Sequence, residues 1–222
     1  MGTEWSIPSE GPFHWHTYDV ESNLPGGWNT ELLALAARQG VEHTFRPSVS
    51  TAREAAEVEI PLESVSGETL FRQANWVYQL YGSWFRMLAE RYAGESLSLT
   101  STPNRALSLN VLRGNGERYP CHVDSNPTQG LLYLTDCTEE TGGGLAIARN
   151  RTARNVAEVD SDCLVLYPRR GLLLFFDARY YAHYVRPMRH ESGLRVVLTM
   201  NYYSKSCPES VRPADLDAQL FR

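Results

Sequence analysis

The sequence predicts a mainly β protein with flanking helices, a double-sheet jelly roll in which a helical layer supports one sheet. Three observations carry this. Up to about residue 100 the chain is dominated by helical periodicity. After Pro103 it becomes a series of short apolar runs broken by Gly, Pro, Asn and Asp. Seven or eight strands at that spacing imply a sandwich or barrel rather than βαβ units.

In chain order, Asn29 or Thr30 can cap a helix through Glu31, Leu32, Leu35 and Ala36, with Gly40 as its stop. A second short helix is expected over Thr51 to Val58, ending before Pro61. The strongest helix runs from Glu68 to Tyr92. Leu70, Ala74, Val77, Tyr81, Trp84, Leu88 and Tyr92 recur there at steps of three and four, which makes one apolar face for packing on a sheet. The strand runs are Ala106–Arg113, Gly130–Thr135, Gly144–Ala148, Leu164–Tyr167, Leu172–Phe176, His183–Val185 and Leu194–Tyr203. The 222 residues are expected to form a single domain, with a helical and irregular region over 1–100 and a jelly-roll core over 104–205.

Composition narrows the function classes. The formal net charge of −5 disfavours a nucleic-acid surface, which needs clustered Lys and Arg. No apolar run approaches the roughly 20 residues that cross a bilayer, so no membrane partner is expected. The four cysteines are far apart with no CxxC pair, and the first residues do not read as a secretory signal; reduced thiols in a cytoplasmic protein are the simpler expectation. Oligomeric state is left open.

His122-Val123-Asp124 places two ligand-type side chains at i and i+2, which point the same way on an extended chain. With a second histidine such as His183 they make the two-His-one-carboxylate facial set of non-haem iron(II) oxygenases. Three ligands on one face leave three positions open, two for a 2-oxoacid and one for O2. Alone, HxD is a weak signal, and a lone His in a strand is more often structural than a ligand. Arg195 follows His183 by twelve residues, and on a strand Arg195, Val197 and Thr199 share a face. A guanidinium inside a barrel needs an anion. The distal carboxylate of 2-oxoglutarate would supply it, with Thr199 assisting. An Arg paired with Asp or Glu at the protein's edge is the plainer alternative.

These residues, with their neighbours, resemble the prolyl-4-hydroxylase-like 2-oxoglutarate/Fe(II) dioxygenases over about Ala106 to Tyr203. Gly116 and Tyr119 precede His122-Val123-Asp124 at the family's spacing. Gly143-Gly144-Leu145, Tyr167-Pro168-Arg169-Arg170-Gly171, the segment from Phe176-Asp177 to His183-Tyr184-Val185-Arg186-Pro187, and Gly193-Leu194-Arg195 follow in the family's order. The resemblance implies a cupin-like double-stranded β-helix with Fe(II), held by His122, Asp124 and His183, at one mouth. It also implies O2-dependent decarboxylation of 2-oxoglutarate to succinate and CO2, coupled to oxidation of a second substrate. Where the family often has a tyrosine nine residues before its first ligand this chain has Arg113, which either binds a substrate carboxylate or faces solvent. Tyr119 or Tyr133 would then supply the missing hydroxyl. Asp124, where related halogenases have Ala or Gly, disfavours halogenation.

A small-molecule substrate, such as an amino acid or a secondary-metabolite intermediate, and hydroxylation are the expectation. The alternatives are a peptidyl hydroxylase and a non-oxidative cupin-type metal protein, the latter leaving Arg195 without a purpose. The aromatic stretch from Phe13 to Val58, with Trp15, Tyr18, Trp28, His43 and Phe45 amid turn formers, is expected to supply a lid over the metal mouth or an oligomer interface.

Overall fold

A computed structural model describes residues 14–45, 50–54, 59–177 and 179–216. Its strands are β1 (Trp15–Asp19), β2 (Val41–Phe45), β3 (Ile60–Ser66), β4 (Leu97–Ser98), β5 (Leu107–Arg113), β6 (Tyr119–His122), β7 (Thr128–Tyr133), β8 (Leu145–Ala148), β9 (Cys163–Leu166), β10 (Leu172–Phe176), β11 (His183–Val185) and β12 (Leu194–Ser204). Its helices are α1 (Trp28–Gln39), α2 (Gly67–Gln73), α3 (Asn75–Gly82), α4 (Trp84–Ala93), α5 (Pro103–Ala106) and α6 (Val156–Ser161). None is long and apolar enough to cross a membrane.

The strands form the two sheets of a jelly roll. The large one runs β1-β10-β7-β12-β5-β3-β2, with β4 pairing the end of β12; the small one runs β6-β11-β8-β9. All pairings are antiparallel. Side chains on successive strand residues point to opposite faces, so each central strand of the large sheet serves two compartments. On β12, Val196, Leu198, Met200 and Tyr202 join Leu70, Val77, Tyr81 and Phe85 in the core under the helices. Val197 lies between the two sheets with Leu131, Tyr133, Phe176 and Val185. Behind the small sheet, α6 closes a third cluster with Cys121, Ala146 and Tyr184. The four cysteines are free.

The first hundred residues differ from the expectation in four ways. They contribute four strands, β1 to β4, and the β2–β3 hairpin extends the large sheet beside β5. The expected helix from Glu68 to Tyr92 is three helices, interrupted at Ala74 and Ser83, which both leave helical geometry. The second break shifts the helical phase, so Phe85 and Ala89 enter the core while Trp84 and Tyr92 are only half-buried. Residues 50–54 are not helical, and 55–58 of the expected second helix lie outside the described residues. At the start of α1, Gly27 in left-handed geometry takes the cap position, and Asn29 instead donates to the Leu134 carbonyl at 2.6 Å.

The expectation that part of the stretch from Phe13 to Val58 covers the metal mouth narrows to a few residues. Trp15 is buried between the sheets, and Tyr18 and Trp28 are buried under the helices. Of that stretch, only His43 and Thr51 line the cavity among the described residues.

Candidate metal centre

The small sheet brings the three expected ligands together. β6 ends on His122 and β11 begins on His183, and the two histidines are direct cross-strand partners. The chain leaves the strand after His122, and Asp124 turns back between them. Its Oδ1 lies 3.5 Å from His122 Nε2 and its Oδ2 lies 3.7 Å from His183 Nε2. One donor atom from each of the three residues lies within 4.8 Å of the other two.

Both imidazoles are turned the same way. His122 Nδ1 faces the Pro120 carbonyl at 2.7 Å, and His183 Nδ1 faces the Tyr181 carbonyl at 3.0 Å. A carbonyl can only accept, so Nδ1 carries the proton in each ring and Nε2 presents its lone pair to the centre, the usual support of a metal-binding histidine. Burial, with His122 close by, pushes His183 down to about 4, so it is neutral. Burial opposes ionisation of Asp124, but His122 and His183 outweigh it and hold the carboxyl below its usual range. Burial works against a charge on His122, but the Asp124 carboxylate outweighs it and raises that imidazole; two imidazoles and a carboxylate are a donor set that fits a divalent first-row metal.

The ligand strand is secured by a residue that no local sequence pattern singles out. Residues 50–54 run beside β6, with Ala52 bridging to His122, Arg53 N–H donating to Cys121 O at 2.8 Å and Val123 N–H donating to Thr51 O at 3.0 Å. Glu54 Oε1 accepts from Cys121 N–H and from Arg118 Nη1, each at 2.6 Å, while Oε2 accepts from Arg118 Nη2 at 2.7 Å. Burial raises the Glu54 carboxyl, yet Arg118 and the Cys121 amide leave it net lowered. A group depressed in the folded state contributes stability above the ordinary carboxylate range and loses it as pH falls through its folded value. Glu54→Gln should therefore cost about 1–3 kcal/mol near neutrality and flatten the acid side of the stability curve. Urea unfolding across pH tests this; an unchanged acid limb would remove Glu54 as the source.

Arg195 is buried on β12, on the cavity side. Its Nε donates to the Gly143 carbonyl at 3.0 Å, and its guanidinium carbon lies 5.6 Å from the centre of the Tyr133 ring. Among the described residues no carboxylate pairs with it, and burial lowers its basicity. The plainer expectation, an edge ion pair, does not hold. Among the described residues Tyr133 Oη is buried beside Arg195 with no well-formed hydrogen bond, and burial pushes that phenol up to about 12, so it stays protonated. Tyr119 sits tilted beside His122, with ring centres 5.3 Å apart, lines the same cavity, and is likewise pushed up to about 12 by burial.

Gly143 supports this corner directly. It has φ +74°, and a Cβ there would meet Met188 Sδ at 2.8 Å and Arg195 Cδ at 3.2 Å. Gly143→Ala should strain the turn and displace the guanidinium. Binding of 2-oxoglutarate, followed by calorimetry, is expected to weaken while Mn(II) affinity holds; equal loss of both would mean general unfolding of the centre.

Two expected site residues are placed differently. Arg113 leaves β5 on the other face, where its Nε and Nη2 donate to Glu63 Oε2 and Oε1 at 2.6 and 3.0 Å at the surface. It does not line the cavity, so of its two alternatives the solvent-facing one fits, with Glu63 as its partner. Thr199 lines the cavity, but its hydroxyl lies 2.7 Å from Ser108 Oγ and donates to Ser108 O at 3.3 Å. The cavity, about 1310 Å³ with its open mouth included, also takes in Ser64, Asn110, Gln129 and Asn201, and from the C-terminal side Arg212 and Leu216.

Residues 107–203 match the 2OG-Fe(II) oxygenase superfamily. No functionally curated protein matches the sequence. Among solved structures, the chain is similar to the epimerase SnoN in complex with Fe3+, alpha ketoglutarate and nogalamycin RO, at 15% identity over 86% of this chain and 79% of that one, with a TM-score of 0.60. AviO1 from Streptomyces viridochromogenes Tue57 gives 15% identity, 88% and 92% coverage and a TM-score of 0.61. A prolyl hydroxylase from Trichoplax adhaerens, in complex with a hypoxia inducible factor peptide fragment, gives 16%, 86% and 84%, and 0.58. At these identities the likeness is one of fold.

Proposed function

We propose, for a chain whose residues 107–203 match the 2OG-Fe(II) oxygenase superfamily, that it oxidises a small molecule at the expense of O2 and 2-oxoglutarate, with hydroxylation as the outcome. Fe(II), 2-oxoglutarate and O2 are the cofactors that this superfamily uses. The observation that carries the reading is Arg195, a buried cation with no carboxylate partner among the described residues, in the cavity that also holds the His122, Asp124 and His183 donors.

In this reading the three ligands hold iron, and Arg195 takes the distal carboxylate of 2-oxoglutarate through a charge-assisted fork. The Gly143 carbonyl holds Nε, which aims the outer edge of the guanidinium at its anion. Tyr133, with no well-formed hydrogen bond at its hydroxyl among the described residues, is the nearest candidate for a second donor to that carboxylate, and Tyr119 borders the metal side. When bound, iron with 2-oxoglutarate and O2 supplies the oxidant that removes a hydrogen from the second substrate. The chain's own task is then to exclude water and fix which C–H bond is presented. His43 and Leu62 on the β2–β3 hairpin, Thr51, and Leu216 near the C-terminal end form the walls suited to that task. Ser50 N–H donates to Asp215 Oδ2 at 2.8 Å, so two of these walls are tied to each other. Walls from both ends of the chain favour an enclosed small substrate over an extended peptide.

The test is anaerobic loading with Fe(II) and 2-oxoglutarate, then exposure to O2 with a panel of small molecules and peptides while succinate is measured. Stimulation of succinate release by a small molecule is expected. Stimulation by peptides alone would reassign the enzyme as a peptidyl hydroxylase, and failure to bind 2-oxoglutarate would end the reading.

A further inference from the structure

The cavity face of the large sheet is divided in two. Toward β7 and β10 it is apolar, with Leu131, Phe176 and Val197 packed between the sheets. Toward β3, β5 and the later part of β12 it carries Ser64, Ser108, Asn110, Thr199 and Asn201, with Gln129 at the end of β7. Register makes these polar residues contiguous: Ser64 is opposite Asn110, Thr199 opposite Ser108, and Asn201 opposite Gln129. Serine and asparagine are poor choices for the inward face of a strand. A buried or half-buried polar side chain also costs free energy unless its hydrogen bonds are made. The sheet face therefore needs a reason to be polar here.

Part of the hydrogen-bonding capacity is used to hold the stripe in shape. Ser108 Oγ lies 2.7 Å from Thr199 Oγ1 and donates to Asn110 Oδ1 at 3.1 Å. Asn201 Nδ2 donates to Arg105 O at 2.8 Å, and Gln129 Oε1 accepts from Asn126 Nδ2 at 3.0 Å. The Ser64 hydroxyl, the Gln129 amide nitrogen and Asn201 Oδ1 have no protein partner among the described residues. They offer neutral donors and an acceptor on prepositioned side chains.

Charge narrows the ligand further. Asp124 is the sole carboxylate among the described lining residues, and it belongs to the metal centre. An ammonium group would find no counter-ion. Arg195 is assigned to 2-oxoglutarate, and Arg212 already has a partner within the protein. With metal and co-substrate in place, what remains of the cavity is neutral, hydrogen-bonding on one side and apolar on the other.

We propose that the prime substrate is a neutral, hydroxyl-rich ring, of the glycoside or cyclitol class, whose hydroxyls bind the Ser64–Gln129–Asn201 stripe while a less polar face rests toward Leu131 and Phe176. This rests on the proposed function and narrows its small-molecule class, turning it away from amino acids.

The full chain, loaded anaerobically with Mn(II) and 2-oxoglutarate, is mixed with methyl glucopyranoside, methyl mannopyranoside, myo-inositol, L-proline, L-leucine and L-arginine. Paramagnetic broadening of probe proton signals is read, with Zn(II)-loaded protein as the diamagnetic control. Broadening of at least one polyol and of no amino acid is expected. Ser64→Val with Gln129→Leu should weaken that binding about tenfold, as the loss of two neutral hydrogen bonds would. Ser64→Val suits a strand, while Gln129→Leu gives up the bond from Asn126, so the metal-loaded double variant should melt cooperatively with a modestly lowered midpoint. Broadening by an amino acid, by no probe at all, or by a polyol indifferent to the double variant overturns the proposal. If Mn(II) and 2-oxoglutarate themselves fail to bind, the assignment of the metal and co-substrate site is what has failed.

Discussion

His183→Ala is expected to reduce substrate-coupled succinate release to background and to abolish tight Mn(II) binding, while the circular dichroism spectrum stays native. The side chain gives the centre one of its two imidazole nitrogens, and with it gone His122 and Asp124 form an open two-donor site. The structural loss is small by comparison. The ring makes one hydrogen bond, to the Tyr181 carbonyl, and packs against Phe176. A single neutral hydrogen bond is worth about 1 kcal/mol, too little to unfold a domain of this size. A variant that kept full turnover would take His183 out of the ligand set.

Arg195→Ala should raise the Michaelis constant for 2-oxoglutarate far more than that for the second substrate. Truncating one partner of a buried, hydrogen-bonded charge pair costs about 2–5 kcal/mol, which is roughly thirtyfold to several thousandfold in affinity. Arg195→Lys keeps the charge and loses the fork, so an intermediate loss is expected. The ligand-free protein supplies a second, opposite sign. Among the described residues its guanidinium is buried against the Gly143 carbonyl and the Tyr133 ring with no carboxylate, so Arg195→Met should leave apo stability unchanged or raised. Equal effects on both Michaelis constants would move Arg195 out of the co-substrate subsite.

The residues at the centre were legible because strand geometry is short-ranged. Arg195 and Thr199, four apart, share a side because β12 is extended through both, and the same rule picks out His122 and Asp124, although there the chain leaves β6 after His122 and Asp124 meets it by turning back. The same rule would have excluded Arg113, since Ser108, Asn110 and Leu112 occupy the cavity-facing positions of β5 and Arg113 falls between them in phase. The β2–β3 hairpin was hidden because Val41–Phe45 carries two charged or titratable residues on an edge strand and Pro61 sits inside β3, composition that reads as loop. The breaks at Ala74 and Ser83 were hidden for the opposite reason, because the apolar repeat continues through both. Glu54 lies outside any regular element, and its role depends on Arg118 and Cys121 arriving beside it from another part of the chain. No local pattern announces that.

The alternation along β12 has a consequence for how such a protein can change. Odd-numbered positions from Arg195 to Asn201 address the ligands, and even-numbered positions from Val196 to Tyr202 address the helices. Parity thus separates selection for chemistry from selection for folding within one segment. Substitution at one parity leaves the other compartment's contacts in place, so ligand preference can drift without eroding the hydrophobic interior. Insertion or deletion of a single residue has no such freedom. It would exchange the two sets, sending the guanidinium into the helix-packed interior and Leu198 or Met200 toward the metal. Variation in this strand is therefore confined to replacement at fixed length, while gain and loss of residues is left to the loops that join the strands.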